Sequence, residues 1–99
     1  VEFLSGVTGA QTPSDHPLYR IVADAVHATT GQSPVVNPMH TSSDIRNPIV
    51  QRSIPTLGLG PLCGDLAQNG RADEWVDAED YLRAVRVVAR AVVAWCAAR

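Results

Sequence analysis

Residues 54–80 read IPTLGLGPLCGDLAQNGRADEWVDAED. An apolar run, Ile54 to Leu59, closes on two glycines and Pro61. A polar loop of some fifteen residues follows, and an acidic cluster, Asp77, Glu79 and Asp80, then opens the longest helical pattern in the chain. The run is apolar on both faces, as a strand buried within a parallel sheet would be. A strand leading into a long loop and a helix start is where α/β proteins place their chemistry.

On the C-terminal side, Asp77 to Ala98 is predicted as one helix. Asp77 is the expected N-cap, with Glu79 and Asp80 in the first turn, where the helix dipole favours anions. Tyr81, Val85, Val88, Ala89, Val92 and Cys96 form the expected apolar stripe. Arg83, Arg86 and Arg90 form a solvated face, and Glu79–Arg83 is an i, i+4 ion pair. On the N-terminal side, a short helix is expected from Asp44 to Arg52, with Ser42 or Ser43 as its cap. Pro48 is tolerated only within its first turn. Before it come a polar turn, Met39 to Asp44, and a short strand, Ser33 to Asn37. Asp15 to Thr30 is a further helix: Ser14 or Asp15 caps it, Pro17 falls in its first turn, and Leu18, Ile21, Val22, Ala25 and Val26 share its buried face. Gly31 is placed for a left-handed C-terminal cap. Gly6 to Ser14 is a linker, and Val1 to Ser5 reads as the end of a strand. The order strand, helix, strand, helix, strand, long helix predicts an α/β fold with parallel central strands flanked by helices.

Ninety-nine residues suit one domain, and 45% hydrophobic with 18% charged residues is a globular composition. The formal net charge of −2 gives nucleic acid no footing. All eight basic residues are arginine, which fits codon bias in a GC-rich genome. Cys63 and Cys96 share no metal spacing and are expected as free thiols in a reducing, cytoplasmic compartment. The first residues have no basic n-region, and no apolar run approaches the ~18 residues of a membrane span. A chain that starts mid-strand on VEFL, without a methionine, reads as a piece of a longer protein.

Several motifs suggest chemistry. Gly58, Gly60 and Gly64 follow a strand, but their last interval is one residue too long for a dinucleotide fingerprint, and Pro61 removes an amide. The glycines serve instead to turn the chain sharply, as a cleft wall needs. His16 and His27 fall on the first helix and are expected to be structural or solvated. His40 differs, because it sits in a polar turn beside Thr41, Ser42, Ser43 and Asp44. Arg46, just beyond the serines, carries a guanidinium that can fork onto a carboxylate or phosphate. Asp73 and Glu74 suit either acid–base work or ordering of the loop through backbone amides, and the second fits better.

Three segments, SSDIRNPI (42–49), IPTLGLGP (54–61) and DEWVDAEDYLRAVRVV (73–88), occur in an order and at intervals that resemble the C-terminal part of the zinc-dependent amidohydrolase and exopeptidase family. That family includes acetylornithine deacetylase, succinyl-diaminopimelate desuccinylase, aminoacylase and carboxypeptidase G. SDHPLYRIVADAVHATTGQSPVV (14–36) is similar to its segment returning from an inserted lid domain. The resemblance implies the C-terminal part of a three-layer catalytic domain. Residues 1–9 would end a lid-domain strand and linker, and residues 10–99 would belong to the catalytic domain. It implies a parent enzyme in which zinc or another divalent metal activates water against an amide bond. The substrate would be an N-acyl or N-carbamoyl amino acid or a small peptide. No catalytic residue carries over, because most metal ligands and the general base belong to a half of the domain that nothing here matches. Neither activity nor a tightly bound metal is expected of this segment alone. The family's T-S-D-x-R turn falls on Ser42 to Arg46, so Ser42, Ser43 and Arg46 are candidate substrate contacts, with Gly58 and Gly60 as cleft wall. In the family's A-H-x-P-D-E motif, aligning Asp73 and Glu74 with D-E places Gly70 where a metal-binding histidine is expected. Either that metal site is altered, or another group such as His40 substitutes as metal ligand, or one metal suffices.

Two functional readings follow. In the first, the chain is part of such a hydrolase, partnered by the remainder of the catalytic domain and by a small amide or peptide substrate. In the second, it is a non-catalytic α/β interaction or oligomerisation module, with a second copy as partner through strand edges and the long helix. Neither involves nucleic acid or membrane.

Overall fold

A computed structural model of the chain describes residues 9–36, 44–64, 66–68 and 70–98. Three α-helices carry it: α1 Pro17–Thr30, α2 Arg46–Arg52 and α3 Ala78–Ala97, with a 3-10 turn at Leu66–Gln68. The expected strand Val1 to Ser5 lies outside the described residues.

The helix ends follow local chemistry. Pro17 occupies the first turn of α1, where its missing N–H is no loss. The cap, however, is His16 rather than Ser14 or Asp15: its Nδ1 accepts from the Leu18 amide at 3.2 Å. Gly31 closes α1 at φ +74°, and its N–H donates to the His27 carbonyl at 2.8 Å. Asp77 caps α3 as expected, accepting from the Asp80 amide at 2.8 Å. α2 has no side-chain cap bond at Ile45, and Asp44 instead closes a turn in front of it through the Asn47 amide. Ser42 and Ser43, the expected caps, lie outside the described residues. Pro48 is the third residue of α2 and so breaks no helical bond.

The helices pack as a pair, α1 against α3. The buried apolar side chains are Ala25 on α1 and Val87 on α3. Leu18, Ile21, Val22 and Val26 are half-buried around Ala25, on the face that the spacing predicts. His16 stacks on Trp95 with ring centroids 6.3 Å apart, so the start of α1 lies at the end of α3.

The expected stripe of α3 is not the side that packs. Tyr81, Val85, Val88, Ala89, Val92 and Cys96 are all exposed. The face toward α1 is instead Ala84, Val87, Ala91 and Trp95, buried or half-buried at positions i, i+3, i+7 and i+11. The helix is apolar around most of its circumference. Arg83, Arg86 and Arg90 are exposed, and Arg83 pairs with Glu79 at 3.2 Å, both as expected.

The α/β expectation is met only in its helices. No strand forms among the described residues, and the one pairing is an isolated antiparallel bridge between Cys63 and Val76. Residues 33–36 and 54–59, both expected as strands, have no ladder partner. A strand exists only where a neighbour takes its N–H and C=O groups. A run apolar on both faces needs neighbours on both edges and layers on both sides. These runs have neither: Val35 is 96% exposed and Ile54 54%. The Cα radius of gyration, 15.6 Å, accordingly exceeds the ~13 Å of a compact chain of 100 residues.

Candidate functional site

Of the sequence-derived candidates, His40, Ser42 and Ser43 lie outside the described residues. Arg46, Gly58 and Gly60 lie within them. Arg46 is the first residue of α2 and is half-buried. α2 ends in a tight reversal, with the Ser53 amide on the Ile49 carbonyl at 3.0 Å and the Ile54 amide on the Pro48 carbonyl at 3.1 Å. Ser53 takes the left-handed conformation, φ +53°, that this motif demands. The reversal launches the chain directly into residues 54–60, so α2 and the glycine segment are rigidly consecutive. Gly58 and Gly60 are exposed. A Cβ built at Gly60 would meet nothing within 4 Å.

The glycine segment is held at both ends. Upstream, the Thr12 hydroxyl donates to the Thr56 carbonyl at 2.7 Å and accepts from the Thr56 amide at 3.0 Å. Thr12 is the buried polar residue of the described chain, 8% exposed. Downstream, the Leu62 amide donates to Asp80 Oδ2 at 2.6 Å. Neither partner is singled out by sequence. Thr12 sits in a linker of turn formers, and Asp80 reads only as a first-turn acid. A hydroxyl that serves a backbone 44 positions away leaves no periodic signal.

Beyond Leu62 the chain makes a closed loop. The Asp77 amide donates to the Leu62 carbonyl at 2.9 Å and the Gly64 amide to the Trp75 carbonyl at 3.0 Å. Within it, Glu74 Oε2 accepts from the Gly70 amide at 3.1 Å, and the Gln68 side chain reaches the Asp73 carbonyl at 3.2 Å. Arg71 pairs with Asp73 at 3.7 Å. Asp73 and Glu74 thus order the loop, the role favoured over acid–base work. Gly70 adopts φ +76°, a conformation that a side chain resists.

An open groove of ≈ 270 Å³ runs between Leu59, Gly60 and Pro61 on one side and Tyr81, Val85 and Val88 of α3 on the other. Its lining is apolar apart from the Tyr81 phenol and holds no carboxylate, imidazole or thiol, so what it offers a ligand is chiefly an apolar shape. Among the described residues no group of three or more His, Cys, Asp or Glu is placed to hold a metal ion. The described residues therefore do not make up a metal centre by themselves. His16 is occupied as a cap and stacking partner, and both cysteines are free thiols and exposed. No described helix is long and apolar enough to cross a membrane.

Comparison with known proteins gives one match. The model of peptidase family M20/M25/M40 matches residues 1–94. No curated protein and no solved structure matches the chain.

Proposed function

The chain belongs to peptidase family M20/M25/M40, and from that membership we propose that it supplies one wall of the catalytic cleft in a metal-dependent amidohydrolase. The family places it among hydrolases of the peptidase and amidohydrolase kind, which generally depend on a divalent metal. The match over residues 1–94 carries the proposal. The substrate class is an N-acyl or N-carbamoyl amino acid or a small peptide, as in the relatives of the acetylornithine deacetylase and carboxypeptidase G type.

In this reading Arg46 forks onto the substrate carboxylate, and the Ser42–Asp44 turn completes that contact. Gly58 and Gly60 form the wall along which the substrate lies, and the closed loop that follows covers it. The metal, zinc or another divalent ion, is held by residues outside the described part of this chain. In the proposed α/β architecture, central strands cover the stripe Tyr81, Val85, Val88 and Val92 that α1 leaves open. The uncovered stripe also favours the second reading, a non-catalytic association module, because a second copy could cover it. An H-x-D motif and a Glu-Glu pair elsewhere in the full-length protein would favour the enzyme.

The test is hydrolysis of N-acyl amino acids by the full-length protein before and after exhaustive chelation. Activity should vanish with the metal and return with zinc. Activity that survives complete metal removal would sink the proposal. Arg46→Ala should raise KM for carboxylate-bearing substrates about 10- to 100-fold, the worth of a charge-assisted hydrogen bond. A substrate analogue with that carboxylate amidated should show no such loss.

A further inference from the structure

We infer that Thr12 is a positioning residue for the glycine wall, acting with Asp80 as the second of two clamps that fix residues 56–62. This rests on the reading of Gly58 and Gly60 as cleft wall. One hydroxyl satisfies both backbone groups of Thr56, donating to its carbonyl at 2.7 Å and accepting from its amide at 3.0 Å. At the other end a carboxylate oxygen holds the Leu62 amide at 2.6 Å. Between these anchors, among the described residues, no hydrogen bond fixes the backbone from Leu57 to Pro61. Gly58 and Gly60 contribute no side chain that could pack. The position of the wall is therefore set from its ends.

The two clamps differ in kind. Thr12 is 8% exposed and its bonds are partly sheltered from water, so losing them leaves two half-buried backbone groups without that partner. Asp80 is itself fixed, with its amide on Asp77 Oδ1 and its carboxylate 3.6 Å from Arg83, so the downstream clamp ties the wall to α3. A wall held this way keeps one distance from a substrate while its own surface stays smooth.

The experiment uses the full-length hydrolase with Thr12→Val, Thr12→Ser, Asp80→Ala and Gly60→Ala. Amide hydrogen exchange and steady-state kinetics on an N-acyl amino acid are measured for each. Thr12→Val keeps the side-chain shape but removes the hydroxyl. It should speed exchange at the Thr56 amide, the one that Thr12 holds, at least tenfold and raise KM about 5- to 10-fold, with kcat changed less than twofold. Thr12→Ser should restore both to within twofold. Asp80→Ala should speed exchange at the Leu62 amide and serves where Thr12→Val does not fold. Unchanged exchange at Thr56 in the valine variant, or at Leu62 in the alanine variant, overturns the clamp, and so does serine behaving like valine. Gly60→Ala adds a methyl group in open space and should raise KM if the wall meets substrate. If it does not, while Thr12→Val speeds exchange at Thr56, the wall reading falls. If it does, while Thr12→Val leaves KM unchanged, the positioning role falls.

Discussion

Two left-handed positions in this chain make the same backbone demand of different residues. Ser53 sits at φ +53° to close α2, and Gly70 sits at φ +76° inside the loop. An L side chain in that region costs about 1–2 kcal/mol. Ser53→Gly should therefore raise stability by about 0.5–1 kcal/mol, read as a higher denaturant midpoint at unchanged slope. Gly70→Ala should lower it by about 1 kcal/mol although the added methyl meets nothing within 4 Å, because the penalty is torsional and not steric crowding from neighbours. The caps show what can be read from sequence at this scale. Asp77 and Gly31 act through bonds to residues three or four positions away, and those spacings are written in the chain. His16 displaces Ser14 and Asp15 as the cap of α1 because its imidazole is also wanted against Trp95, 79 positions on, which no local pattern records.

At the scale of elements, the helices were legible to within one or two residues, because 3.6-residue periodicity and caps are local signals. The facing of α3 was not. Its apolar residues occupy two sides, and periodicity alone cannot rank two apolar sides. The ranking comes from the partner: α1 takes the side with Ala84 and Ala91, and leaves Tyr81, Val85, Val88 and Val92 for something else. Val87→Ala should cost about 2 kcal/mol of stability, as expected for truncating a buried valine. Arg86→Ala, on the wet face, should stay within about 0.5 kcal/mol. Val88→Asp gives the sharper result. In the full-length enzyme a covered stripe predicts a loss of more than about 2 kcal/mol from burying an unpaired charge, measured by thermal unfolding. A loss below about 0.5 kcal/mol would leave the stripe facing water. Strands are where sequence reading and structure part, because their pairing is a property of neighbours and not of the run itself.

For the molecule as a whole, the class of protein was legible from three weak motifs in order, and the match over residues 1–94 supports it. The proposed site was legible only as positions. Arg46, Gly58 and Gly60 could be named as candidates, but the Thr12 and Asp80 bonds that hold Thr56 and Leu62 join parts of the chain 44 and 18 positions apart. The loop that follows is built on the same plan, and its geometry has a consequence for how such a protein can be altered. Its base is already closed, with Leu62 and Asp77 joined at 2.9 Å. Extra residues placed at Gly70–Arg71 would lengthen a ring without moving its clasp, and doubling such a ring adds only about 0.6 kcal/mol of closure entropy. An insertion there gives up the local bonds of Gly70 to Glu74 and of Arg71 to Gln68 but leaves the clasp in place, so its cost should fall on the loop's own order and not on the register of residues 56–62.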